Sequence, residues 1–220
     1  RGFKSYKNNF FKNKKIIDVG CGGGRYSNAL RLLKAKSVLG VDYSDDGIYT
    51  AKKNYRFKNL RFKKENVLKL NIKSNSFDLV FSNGVLHHTS DFKKGLKELL
   101  RICRPNGYIY LYLYAKGGLY WNARRQMNKF VKKIPQHYSQ KVLDSIGMPS
   151  NRFIFMDNWY VPIERHCSHK EIYQILKKNN VQSIEKMKKG RRTDLESGLR
   201  KFKDSKVIWG EGEIRLLIKK

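Results

Sequence analysis

The chain has 220 residues, with 48 Lys or Arg against 18 Asp or Glu and a formal net charge of +30. Hydrophobic residues make up 40% and aromatics 13%, enough apolar material for a core, which excludes a disordered chain. No apolar run approaches the ~20 residues of a spanning helix, and no signal-peptide pattern opens the sequence. Three scattered cysteines (Cys21, Cys103, Cys167) exclude a disulfide framework and set a reducing cytoplasm as the expected compartment. The charge suggests a polyanionic partner, yet the lysines run along the whole length, as a solvated surface would have them.

From Lys14 onward, strand-like and helix-like segments alternate. Lys14–Gly20 (KKIIDVG) reads as a buried strand, and Arg25 to Lys34, with apolar Ala29, Leu30, Leu32 and Leu33, as a helix. Ser37–Asp42 is the second strand. Ser44 is placed to cap a helix carrying Asp45 and Asp46 in its first turn, where the dipole favours negative charge. Leu60–Val67 is a weaker third strand and Phe77–Gly84 a fourth, followed by a helix over Ser90 to Cys103. Arg104-Pro105-Asn106-Gly107 reads as a turn, since proline cannot continue the helix and Asn-Gly tolerates positive φ. Tyr108–Tyr114 is the fifth strand. Ser168 to Glu171 spell a capping box ahead of a late helix, and Val181–Lys188 and Glu213–Lys219 complete seven strands. The alternation predicts a doubly wound α/β fold with a mainly parallel sheet, interrupted from Ala115 to Cys167 by an insertion.

Ile16–Ser27 (IIDVGCGGGRYS) runs from strand through a glycine-dense turn into helix, so Gly20, Gly22 and Gly24 let the backbone approach a ligand. A dinucleotide loop would need a third glycine where Arg25 stands, and the G-K-[ST] of a phosphate loop is missing.

The D-x-G-C-G-x-G run with Asp42 ending the next strand resembles the class I S-adenosylmethionine-dependent methyltransferases. Phe77-Asp78-Leu79-Val80, Gly84-Val85-Leu86-His87-His88 and Arg104-Pro105-Asn106-Gly107 resemble their small-molecule, methyltransferase type 11-like branch in order and spacing. The resemblance spans Lys14 to Tyr114 and continues faintly beyond. It implies a Rossmann-like domain with S-adenosyl-L-methionine as cofactor, a cofactor core over 14–114, a substrate lid over 115–167 and a return to the core over 168–220. It assigns Asp18, Gly20, Gly22 and Gly24 to the loop under the cofactor's methionine part. Asp42 would accept the ribose hydroxyls, with Tyr43 beside it, since an ionised carboxylate offers two oxygens to a diol. Asn66 stands where the family usually has an aspartate facing the adenine amine, Val67 would pack on the adenine, and Ser82 with Asn83 would border the sulfonium.

Methyl transfer needs no proton for its leaving group, so positioning can supply much of the rate, and a base adds about 10²–10⁴-fold. His88, just past the fourth strand, is the candidate base; packing is the alternative role for that ring. The insertion gathers Tyr120, Trp121, Tyr138, Phe153, Phe155, Trp159 and Tyr160 with Arg124, Arg125 and Arg165, which suits a small molecule with an apolar body or a carboxylate or phosphate handle. The plainer readings are a lid core for the aromatics and a solvated helix face for Arg124 and Arg125. His166, Cys167 and His169 lack the spacing of a metal site, so no metal is expected. The expected function is methyl transfer to a small-molecule O, N, S or C atom. An RNA or other nucleic-acid substrate is the alternative, favoured by charge alone: Ser82-Asn83-Gly84-Val85 departs from the amine-methylase [NDS]-P-P-[YF] segment, and Cys103-Arg104-Pro105 lies in the wrong turn for a cytosine C5 nucleophile.

Overall fold

The computed structural model describes residues 9–147, 159–187 and 204–220; Phe153, Phe155 and the expected strand end at Lys188 lie outside them. Seven strands form one sheet in the order β3-β2-β1-β4-β5-β7-β6. They are β1 (Lys15–Val19), β2 (Ser37–Asp42), β3 (Leu60–Lys64), β4 (Phe77–Asn83), β5 (Cys103–Tyr114), β6 (Ser183–Lys186) and β7 (Glu213–Lys219). The first five run parallel, whereas β7 runs antiparallel to both β5 and β6. Helices α1 (Arg25–Leu32), α2 (Asp45–Asn54) and α3 (Phe92–Ile102) follow β1, β2 and β4, while α6 (His169–Lys178) precedes β6. Between β5 and α6 lie α4 (Leu119–Val131) and α5 (Gln136–Ser145), and α7 (Ser205–Trp209) leads into β7.

Two apolar cores result, one on each sheet face, because successive strand residues point to opposite sides. Ile16 joins Leu30 of α1 and Ile48 and Ala51 of α2 on one face. Ile17, its neighbour, joins Leu96 and Leu99 of α3 and Ile172 and Leu176 of α6 on the other. Each of these leucines and isoleucines, removed from water, contributes about 1.5–3 kcal/mol. The caps match the chemistry of their residues: Ser44 Oγ accepts from Gly47 N at 3.1 Å, and Ser168 Oγ from Glu171 N at 3.0 Å. Asp91 caps α3 by accepting from Lys94 N at 3.0 Å, so that helix starts two residues later than expected.

Several boundaries differ from the expectation. The Arg104–Gly107 turn is absorbed into β5, where the register jumps between Phe77 and Leu79 and Asn106 takes φ 60°. Lys220 N donates to Gly107 O and Lys220 O accepts from Asn106 N there, so the irregular segment is held as a bulged strand entry. Helix α1 stops at Leu32 because Lys34 adopts φ 66°. The third strand ends at Lys64, leaving Asn66 and Val67 in a turn where Lys69 N bonds Asn66 O at 2.9 Å. The sixth spans Ser183–Lys186. All three cysteines are buried free thiols. Among the described residues no helix is long and apolar enough to cross a membrane.

Candidate active site

The carboxyl ends of β1, β2, β4 and β5 meet along one sheet edge, and the loops there carry most of the sequence-predicted site residues. The glycine loop leaves β1 with Gly20 at φ 77°, Gly22 at φ 49° and Gly24 at φ 81°. Their reasons differ. A Cβ on Gly20 would lie 2.1 Å from Val85 Cγ2, and one on Gly24 2.7 Å from the Phe62 ring, so these two serve packing within the fold. A Cβ on Gly22 would meet no atom within 4 Å, which leaves open space over that residue for a ligand.

Asp42, ending β2, braces the loop. Its Oδ2 accepts from Gly22 N at 2.8 Å and its Oδ1 from Ser44 N at 2.9 Å. Each carboxylate oxygen keeps a second lone pair, so the diol contact expected of Asp42 has acceptors left. Asp18 is 2% exposed, and its Oδ2 accepts from Ser27 Oγ at 2.6 Å. Burial, against the Ser27 hydrogen bond and aided by the Asp42 charge, pushes the Asp18 carboxyl up to about 7. Asp18 therefore supports the loop from the core. Burial also pushes the Cys21 thiol up, keeping it protonated.

Asn66 is exposed, and its Oδ1 already accepts from Leu68 N at 2.9 Å, so the carbonyl expected to face a ligand amine closes a local turn. Val67 is half-buried against the core, and Tyr43 is 71% exposed with the Lys64 ammonium 5.8 Å over its ring. Ser82 is fully buried in β4 opposite Val19 and Leu111, with no hydrogen-bond partner for Oγ among the described residues.

Past β4, a short 3₁₀ turn over Leu86–His88 carries both histidines. His87 is fully buried between His88 and Tyr114, at ring distances of 4.1 and 4.0 Å. Burial, and then the nearby His88, His166 and Arg124, pull it far below the ordinary histidine range, so it is neutral. His88 Nδ1 lies 2.9 Å from the Ile163 carbonyl oxygen. A carbonyl only accepts, so Nδ1 is the donor in this contact.

The strand-following segment packs on this turn. Arg165 N donates to His87 O at 2.8 Å, and Ala115 bridges to Cys167. Trp121 of α4 stacks on Tyr114 at 5.1 Å and meets the His166 ring at 4.7 Å. Arg124 is buried and ion-paired to Glu164, which corrects its reading as part of a solvated helix face; Arg125 stays exposed. Glu164 Oε1 also lies 2.6 Å from His166 Nε2, while His166 Nδ1 faces the Ala115 carbonyl at 2.9 Å. Burial alone would raise the Glu164 carboxyl, but hydrogen bonds from His166 and Arg124 outweigh it and hold it low. Glu164 was not foreseen, although it is one of three acids between Ala115 and Cys167 in a basic stretch. Beside this cluster opens a cleft of about 400 Å³ bordered by Lys116, Trp121, Arg125, Glu164 and Arg165. Among the described residues no group of His, Cys, Asp and Glu could hold a metal ion.

A mainly parallel sheet with β7 inserted antiparallel between β5 and β6, a glycine turn after β1 and an acid ending β2 define a doubly wound ligand-binding fold. Residues 10–182 match the family described as methyltransferase domain, and the chain belongs to it, carrying a class I S-adenosylmethionine-dependent methyltransferase domain. It is 32% identical over 137 residues to malonyl-[acyl-carrier protein] O-methyltransferase of Buchnera aphidicola, covering 62% of this chain and 52% of that protein. It is 34% identical over 97 residues to the phthiotriol/phenolphthiotriol dimycocerosates methyltransferase of Mycobacterium tuberculosis, covering 44% and 36%. The chain thus spans about half or less of these relatives. A solved S-adenosylmethionine-dependent methyltransferase from Mesorhizobium loti shares the fold at TM-score 0.61 and 14% identity, covering 98% of this chain and 99% of that one.

Proposed function

We propose that this chain transfers a methyl group from S-adenosylmethionine to a small-molecule acceptor. The observation that carries the cofactor half is the contrast within one loop: two glycines filled against by the fold, and Gly22 facing open space while Asp42 holds its amide. Such a cradle fits the cofactor's polar tail and ribose, with Asp42 taking the hydroxyls, Asp18 bracing from beneath and Val67 and Tyr43 flanking the base. When bound, S-adenosylmethionine supplies an electrophilic methyl on a sulfonium. Residues 14–114 serve as the cofactor core, 115–167 as the acceptor lid and 168–220 as the return to the core.

On the acceptor side, His88 Nε2 takes the proton that an acidic acceptor releases, and the Ile163 carbonyl holds the ring through Nδ1–H. The stack of Tyr114 and Trp121 shields the same edge from water. Small acceptors are supported by the names of the relatives, one a malonyl-acyl-carrier-protein O-methyltransferase. They are also supported by the cleft's volume, which falls within the ~300–1,000 Å³ of small-ligand pockets. Titration calorimetry with S-adenosylhomocysteine tests the cofactor half. Asp42→Ala should weaken binding by about 1.5–3 kcal/mol, as loss of charge-assisted bonds does; unchanged affinity refutes the assignment. Labelled methyl transfer into a fractionated metabolite extract, with and without nuclease, tests the acceptor half, and label found only in nuclease-sensitive material overturns it.

A further inference from the structure

We infer that the cleft beside α4 seats an anionic group of the methyl acceptor, a carboxylate or a phosphate, gripped by Arg125 with Lys116 and Arg165. The inference deepens the acceptor reading above and rests on it.

The first argument is charge. Lys116, Arg125 and Arg165 all border the cleft. Glu164 borders it too, with its Oε1 paired on the buried side to Arg124 and His166 and its Oε2 without a hydrogen-bond partner among the described residues, so it offsets at most one of the three cations. Arg165 meets Glu171, which does not border the cleft, at 3.2 Å, a partly exposed pair that solvent screening weakens. Among the residues that border the cleft, three cations (Lys116, Arg125, Arg165) stand against one carboxylate (Glu164), before His166 is considered.

The second argument is donor geometry. Arg125 is exposed and bonds the Asn122 carbonyl through one nitrogen, which leaves the rest of a planar fork suited to two oxygens of one anion. Trp121, 5% exposed and also bordering the cleft, has an indole N–H with no hydrogen-bond partner among the described residues. A buried donor left unmatched is costly, and a ligand oxygen would satisfy it.

The third argument is placement. Glu164, Arg165 and His166 border the cleft, while Ile163 O and Arg165 N of the same segment hold the His87–His88 turn. An acceptor anchored by its anion in the cleft is therefore fixed relative to His88 by a single stretch of backbone.

The test titrates three probes into the intact chain: phenyl phosphate, phenylacetate and neutral benzyl alcohol. Either anion should bind at least tenfold more tightly than the alcohol, and the better of the two identifies a phosphate or a carboxylate handle. Lys116→Ala with Arg125→Ala should weaken the anion at least tenfold. Lys52→Ala with Lys53→Ala, on the exposed face of α2, should leave it unchanged, which separates the cleft from the general positive charge. Equal binding of the alcohol, no binding of either anion, an unaffected cleft variant, or equal losses in both double variants overturns the inference. S-adenosylhomocysteine is titrated in parallel. If it fails to bind while the anion still depends on Arg125, the methyltransferase reading falls and the cleft stands; cofactor binding without cleft-dependent anion binding gives the reverse.

Discussion

Substituting the loop glycines one at a time separates the residues that shape the loop from the one that faces the ligand. Gly20→Ala places a Cβ 2.1 Å from Val85 Cγ2 at φ 77°, where an L-residue is already strained. Left-handed backbone costs about 1–2 kcal/mol and overpacking about 1–3 kcal/mol, so Gly20→Ala should lose about 2–5 kcal/mol. Gly22→Ala has the backbone cost without the clash, at φ 49° and with nothing within 4 Å, and should lose only about 1–2 kcal/mol. In a chain of this size, each kcal/mol lowers Tm by about 2–4 °C. Thermal melts with and without saturating S-adenosylhomocysteine read both quantities. Gly22→Ala should melt close to the parent yet gain little from the ligand, because its methyl occupies the cradle. Gly20→Ala should melt far lower. If Gly22→Ala keeps the full ligand-induced shift, the space over Gly22 is not the cofactor's, and the site has been placed wrongly.

Glu164→Ala should destabilise by about 3–5 kcal/mol, since it strands the buried Arg124, whereas Glu164→Leu combined with Arg124→Met should come close to neutral; urea midpoints decide. Because the Glu164 carboxyl is held below its ordinary value, its contribution is present above the usual carboxylate range and disappears as pH falls beneath it. Asp18 behaves oppositely: raised to about 7, it contributes stability that is full below the unfolded carboxylate's pKa and is lost as pH rises through about 7. Asp18→Asn should accordingly flatten the decline in urea midpoint between pH 5 and 8, and an unchanged slope would contradict the buried protonated carboxyl. His88→Ala should lower kcat about 10²–10⁴-fold with cofactor affinity intact if Nε2 accepts the proton, and a loss below tenfold leaves the ring a packing role.

What could be read in advance followed local chemistry. Ser44, Asp42 and the Ser168–Glu171 box announce themselves because capping and strand-ending acids act within three or four residues. The strand runs from Ile16 and from Val38 are apolar on both faces, as a covered parallel sheet requires. The three loop glycines look alike in sequence, yet only the partners across space, Val85 and Phe62, tell Gly20 and Gly24 from Gly22. Arg124 and Glu164 lie forty residues apart, so neither carries a mark of the other, and Arg124 passed for a surface residue. Asn66 spends its carbonyl on Leu68, a choice between a local turn and a distant ligand that composition does not record. The Arg104–Gly107 run has every attribute of a free turn, and its capture into β5 depends on Lys220.

The position of β7 imposes an order on the making of this molecule. It enters between β5 and β6, so β6, synthesised earlier, has no neighbour in the sheet until residues 213–219 leave the ribosome. Until then the edge of β5 from Tyr108 to Tyr114 stands unpaired, a tyrosine-rich ribbon open to strangers. Lys220 then fastens the late strand to an early one, its ammonium reaching Asn75 Oδ1 at 2.9 Å and Cys103 O at 2.8 Å. A nascent chain stalled before Glu213 would leave that edge exposed, an aggregation hazard that pairing with β7 removes.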